Sequence, residues 1–314
     1  MKNKLLIGIV LIILLLVGGE IFARYILGLG QTPTYVENDK FEYIFSPNQN
    51  IRRFNNKILV NEYSMRSAPL RKDSKKILIF GDSVLNGGSL TSHEKLATTL
   101  LDNKIGIRFN EKVQVLNISA GSWGPDNAFG YLQEYGDFNT SLIILVFSSH
   151  DAHDNMMFEK IIDVEKSYPS KQPCCALWDG FNRYLIPAIR SKMSSKKKEF
   201  SKIHKIDKGK VFNSGWPNFV EYCRTHHIPF FVLLHPTQEE IIAKEYDQNG
   251  KEIIAFLKQN KIQYYLELNN TKKAYYRDSI HYNIRGQQFL YEELKNILFM
   301  NAHSRLNVLT EEIK

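Results

Sequence analysis

Lys75-Lys76-Ile77-Leu78-Ile79-Phe80-Gly81-Asp82-Ser83 decides how the rest of the chain is read. An apolar run between a lysine pair and a glycine has the pattern of a short strand covered on both faces. To its C-terminal side, residues 92–105 (SHEKLATTLLDNKI) carry apolar residues at helical spacing, and 113–119 (VQVLNIS) forms a second strand. Helix 126–136, strand 141–149, helix 218–227, strand 228–236, helices 238–246 and 251–260, strand 262–268 and helix 285–300 continue the alternation. Strands alternating with helices over this length predict a doubly wound parallel sheet with helices on both faces.

In such a sheet the functional groups gather at the carboxyl ends of the strands. Ser83 stands at the end of the first strand, just before a helix. There its hydroxyl lies near backbone N–H groups and the positive end of a helix dipole, which suits a nucleophile whose attack creates an oxyanion. An ordinary helix-capping serine occupies the same kind of position. Asp278-Ser279-Ile280-His281 follows the last strand and precedes the last helix. A carboxylate three residues before an imidazole on a turn can hold one ring nitrogen while the other faces outward. That is the orienter and base a serine nucleophile needs.

These two features resemble the blocks that define the SGNH, or GDSL, hydrolase family, whose fold is a flavodoxin-like α/β/α sandwich. Gly81-Asp82-Ser83 matches the serine block, and Asp278 with His281 matches the DxxH block, continued by Asn283 and Gly286. The resemblance runs over roughly residues 77–295 and implies Ser83, Asp278 and His281 as a catalytic triad. It also implies an oxyanion hole built from the backbone N–H of Ser83 and of Gly121 or Ser122, within Asn117–Gly124. The family's third block usually ends in Asn-Asp, the Asn side chain being a further donor; here Ser148-Ser149-His150-Asp151 puts His150 in that place. A neutral imidazole donates one N–H and the cation two, so a hole using His150 becomes dependent on tautomer and pH. Trp123, His235 and Arg66 are further candidates for substrate contact: an aromatic face for a sugar, a strand-end histidine, and a cation in the lead-in. For Trp123 a packing role reads equally well, and for Arg66 a hairpin salt bridge is the plainer reading.

Residues 5–19 (LLIGIVLIILLLVGG) are uncharged, with Lys2 and Lys4 before them and Glu20 after. The run reads as a retained transmembrane anchor over 1–28; no convincing cleavage site follows it, though a cleaved signal shares the pattern. The basic flank places the N-terminus in the cytoplasm and the remainder outside the inner or plasma membrane. Residues 29–74 read as a stalk (31–45) and a lead-in hairpin, 75–300 as the main domain, 151–215 as an insertion within it and 301–314 as a polar tail. The lead-in stretches EIFARYILGLG, PNQNIRRFNN and NEYSMRS resemble those of anchored bacterial proteins of cell-surface polysaccharide modification. The net charge of +8 is local: residues 160–210 hold 13 Lys/Arg and 5 Asp/Glu, leaving 28 of each elsewhere. That basic insertion suits anionic lipid headgroups or an acidic polysaccharide, or forms a solvated face. Cys174, Cys175 and Cys223 show no metal-binding spacing, and one of the first two can pair with Cys223.

Together these readings predict an extracytoplasmic serine esterase acting on acyl esters, O-acetyl foremost, of a surface or exported polysaccharide, with no metal or organic cofactor and no nucleic-acid partner. An O-acetyltransferase, which would need a separate membrane acyl carrier, and a non-catalytic polysaccharide-binding scaffold are the alternatives.

Overall fold

The computed structural model describes residues 2–108, 113–193 and 211–300. The lysine run 196–198 and the tail 301–314 lie outside the described residues. The first helix, α1 (Lys2–Tyr25), precedes two antiparallel hairpins, β1 (Tyr35–Asn38) with β2 (Glu42–Phe45) and β3 (Gln49–Arg53) with β4 (Asn56–Val60). The main sheet follows, with β5 (Lys75–Gly81), β6 (Val113–Ser119), β7 (Thr140–Ser148), β8 (Phe230–His235) and β9 (Gln263–Leu266). All its pairings are parallel, and the order is β6-β5-β7-β8-β9. This is the flavodoxin-like order, and its reversal point lies between β5 and β7.

Side chains of successive strand residues point to opposite faces, and the core divides accordingly. Leu78 and Phe80 of β5 face α4 (Pro125–Tyr135), α7 (Gly215–Thr225) and α9 (Gln248–Gln259). Ile77 and Ile79 face α3 (Ala97–Arg108) and α10 (Ile284–Met300), together with the single turn α2 (Ser83–Asn86). The two layers of helices cover the strands that the sequence marks as apolar on both sides.

The segment read as a stalk is packed against the domain. Phe41, Tyr43 and Ile44 are buried in the same cluster as Trp123 and Tyr131, with the Phe41 and Trp123 rings 5.6 Å apart. The insertion contains short helices α5 (Ala176–Gly180) and α6 (Ile186–Met193), joined by a π-type turn, Phe181–Leu185. Pro187 has no N–H to offer the preceding turn, a physical reason for the widening there. Another helix, α8 (Gln238–Ala243), follows β8.

The exit of α1 is bonded to the domain. Glu20 accepts hydrogen bonds from the amides of Ala176 and Leu177, both at 2.9 Å, so its carboxylate serves the first turn of α5. Arg24 bonds Glu20 and the Cys174 carbonyl, and a buried Arg53–Asp179 pair at 3.0 Å holds the hairpin to the insertion. All three cysteines are free, and Cys223 is buried in the core under α7, away from any pairing with Cys174 or Cys175.

At Gly286, near the start of α10, a Cβ would lie 2.3 Å from the Tyr282 ring and 2.4 Å from the Tyr275 carbonyl oxygen. Gly286→Ala is therefore expected to lower stability by about 1–3 kcal/mol through overpacking. Urea denaturation is the measurement, with the midpoint falling at unchanged slope.

Candidate active site

Three strand ends build the site. Asp82 follows β5 and accepts the Val84 amide at 2.8 Å, capping the turn α2, and Ser83 is the first residue of that turn. Its N–H is one of those that have no acceptor within a helix. Gly87 ends the turn at φ +70°, where a Cβ would meet Leu96 at 2.6 Å.

His281 Nε2 lies 2.9 Å from Ser83 Oγ, and His281 Nδ1 lies 2.9 Å from each carboxylate oxygen of Asp278. Asp278 Oδ1 also accepts the amides of His281 and Ile280 at 2.8 and 3.1 Å. Burial pushes the Asp278 carboxyl up, but these amides and the imidazole outweigh it, and the net is below the usual carboxylate range. A negative Asp278 fixes the tautomer with its proton on Nδ1, leaving Nε2 to accept from the serine. Arg277 flanks the pair, its Nε 3.7 Å from Asp278 Oδ2.

Block two approaches from β6. Asn86 Nδ2 donates to the Ser119 carbonyl at 2.9 Å, tying α2 to the end of that strand. The Gly121 carbonyl accepts from the Tyr43 hydroxyl at 2.7 Å and lies 3.4 Å from that of Tyr168. Ser122 adopts φ +56° and is exposed. A Cβ on Gly121 would stand 3.0 Å from Tyr168 Oη, so the absence of a side chain is what admits Tyr168 here.

His150 is partly exposed beside the first block, with Nε2 4.0 Å from Asp82 Oδ2 and 3.6 Å from Asp151 Oδ1. Burial pushes the imidazole below its ordinary value against the opposing pull of Asp82, so it is neutral at pH 7. Asp151 is fully buried; burial and the neighbouring Asp82 hold its carboxyl well above the usual range. Its Oδ2 accepts the Ser148 amide at 2.7 Å, and Oδ1 has no partner. Asp82, His150 and Asp151 form the one cluster among the described residues with metal-ligand spacing. Asp82 is already engaged at Val84 and Asp151 Oδ2 at Ser148, which leaves few free oxygens to cage a cation.

Three proposed substrate contacts are corrected. Trp123 is fully buried, its indole N–H donating to the Tyr43 carbonyl at 2.8 Å; the β1–β2 hairpin covers the face that was to meet a sugar. Arg66 is fully buried and donates to the carbonyls of Thr91, Leu59 and Gly88 at 3.0–3.4 Å, with no carboxylate in a salt bridge among the described residues. It braces the loop after α2. Burial lowers it to about 10, still a cation at neutral pH. His235 is also fully buried: Nδ1 lies 2.7 Å from Glu267 Oε2 and Nε2 2.7 Å from the Ile280 carbonyl. Both partners are acceptors, so both nitrogens carry protons. Burial opposes that charge, but Glu267 and the Ile280 carbonyl prevail and raise the pKa. His235 thus holds the loop that carries Asp278 and His281, while Gln238 holds it from outside through the Ser279 and Asp278 carbonyls.

Sequence reasoning missed Tyr43, Tyr168, Arg277 and Glu267. The hydroxyls reach the site from a hairpin and from the insertion, and no local motif marks either. Arg277 adjoins the DxxH block and could have been found by position alone.

The strand order, the serine turn and the Ser–His–Asp contact now stand together. The sheet order is the flavodoxin-like one that the resemblance to the SGNH hydrolases implies. No family profile and no curated protein matches the sequence. Among solved structures, an acetyl xylan esterase matches at 11% identity and TM-score 0.44, over 71% of this chain and 100% of the other. TesA matches at 13% identity and TM-score 0.40, over 72% and 98%. A carbohydrate acetylesterase family member from Sinorhizobium meliloti matches at 12% and 0.38, over 72% and 98%.

Two measurements check the electrostatics of this site. His235→Ala leaves the buried Glu267 without its cation, with only the Tyr282 hydroxyl as partner, and is expected to cost about 3–5 kcal/mol in urea unfolding. Asp154, near Asp126, Asp82 and Glu42, is pushed up to about 7 by burial and by those carboxylates. Its folded pKa exceeds its unfolded one, so the folded state binds the extra proton between about pH 4 and 7 and stability falls as pH rises through that window. Asp154→Asn is expected to flatten this fall and to be the more stable protein at pH 8, on the order of a few kcal/mol.

Proposed function

We propose that this chain is a serine esterase of the SGNH type that cleaves small acyl esters, O-acetyl foremost, carried on a surface or exported polysaccharide. The observation that carries the reading is the continuous contact from Ser83 Oγ through His281 to Asp278, each step at 2.9 Å. In this reading His281 takes the serine proton as Ser83 attacks the ester carbonyl. His281 then protonates the leaving alcohol, and an acyl-serine remains until water, activated by the same imidazole, releases it. Asp278 orients and stabilises the imidazolium. The amides of Ser83 and of Gly121 or Ser122, with the side chain of His150, are the proposed donors to the oxyanion. The side chains of His281 and Asp278 are 28% and 48% exposed, an openness that suits an ester mounted on a bulky polymer.

Transfer to a sugar hydroxyl shares the acyl-enzyme and differs only in the acceptor. We place α1 in the membrane as a retained anchor, with the domain on the extracytoplasmic side. Its length and hydropathy support the span, and the Lys2/Lys4 flank supports the orientation.

Ser83→Ala is expected to abolish covalent labelling by a fluorophosphonate probe, and His281→Ala to reduce it to near background; labelling of Ser83→Ala at the wild-type rate would overturn the triad. His150→Ala is expected to lower kcat on an activated acetyl ester by about 10²-fold with KM little changed. His150→Asn should recover much of that loss, since an amide donates from a similar place. Mass spectrometry of the acetyl's destination, free acetate or an added oligosaccharide, separates hydrolysis from transfer.

A further inference from the structure

The uncharged run of α1 is by itself too short for a bilayer. Residues 5–19 are fifteen in number, and at about 1.5 Å per residue they span about 22 Å. A hydrocarbon core is about 30 Å thick and needs about 20 residues. The missing depth falls on residues 20–25, the turns that Glu20 and Arg24 bond to the start of α5. On α1 those turns expose Ile21, Phe22 and Tyr25, each more than half accessible. Beside them the insertion exposes Trp178, Phe181, Leu185 and Ile189, between 44% and 58% accessible. Trp178 and Phe181 stack at 5.9 Å, and among the described residues both rings stay largely uncovered. A charged Glu20 is compatible with that depth because its oxygens are taken by two amides and an arginine.

We propose that α5, the π-type turn and α6 form a second membrane contact, an interfacial helix lying in the headgroup region beside the anchor, with the Trp178–Phe181–Leu185–Ile189 face toward the acyl chains. The occupant of this face is a lipid surface of anionic character. Amphipathic aromatic residues favour that level, and a basic neighbourhood strengthens it. Arg190 on α6 is exposed, and the described residues 160–193 carry six Lys/Arg against three Asp/Glu. The proposal rests on the anchored reading of α1 and goes beyond it, since a single span requires no such face.

The chain supplies its own reporter. Of three tryptophans, Trp123 and Trp216 are fully buried and Trp178 is 58% exposed. The test places the full-length protein in phosphatidylcholine–phosphatidylglycerol vesicles, with and without dibrominated acyl chains. Flotation reports α1; Trp178 quenching reports the second contact. The expected result is flotation, roughly twofold quenching of the Trp178 component by bromolipid, protection of that component from acrylamide, and loss of the quenched component in Trp178→Phe. Phe181→Glu with Leu185→Glu is expected to expose Trp178 to acrylamide while probe labelling of Ser83 stays unchanged. Flotation with Trp178 open to acrylamide and untouched by bromolipid would overturn the proposal and leave the anchor standing. Failure to float would overturn both.

Discussion

Strand β5 hydrogen-bonds to β6 on one side and to β7 on the other, and this double pairing governs where the remaining parts can go. A strand held on both edges and covered on both faces must be apolar throughout, as Ile77 to Phe80 are. Its two neighbours leave in opposite directions from its carboxyl end, so a crevice opens there without any special loop. Ser83 is the first residue with a reactive side chain to emerge into it. The end of β6 brings Gly121 from one side, and the end of β7 brings His150 from the other. The sheet order therefore converts residues distant in sequence into one set of neighbours.

Beneath that crevice the chain uses buried polar groups as braces. Arg66 gathers three carbonyls behind the serine turn. The His235–Glu267 pair supports the loop of the acid and base, and Tyr282 adds a hydroxyl to Glu267 at 3.0 Å. Each such group is costly to bury alone and acceptable when its partners are supplied. Removing any one partner would strand another in a low-dielectric interior. That mutual dependence favours a single loop position over a set of alternatives.

The sheet was legible because its strands are continuous apolar runs between turn residues, and the DxxH pair because it stands just after one. Trp123 shows how legibility ends. Beside glycines it reads equally as a sugar platform and as a packed ring, and the hairpin from Tyr35 to Phe45, eighty residues away, decides for packing. That hairpin was itself unreadable, since Glu42 at φ +66° interrupts its alternation. His235 stands at a strand end, where a substrate contact is a fair expectation. Its two partners come from residues 267 and 280, and no pattern local to His235 announces them. Arg66 and Glu20 follow the same rule: a charge in an awkward place is explained by acceptors or donors that only the fold supplies.

The turn from Asp278 to His281 closes on itself: one carboxylate oxygen serves two backbone amides of the turn as well as the imidazole. Asp278 and His281 are therefore tied into one turn. Thermal motion of the loop can leave their mutual geometry intact and alter a single coordinate, the gap between His281 Nε2 and Ser83 Oγ. A machine with one loose coordinate has one way to go out of alignment and one way to return. Its tolerance is set by how firmly β5 and the underside of that turn are held to the same sheet.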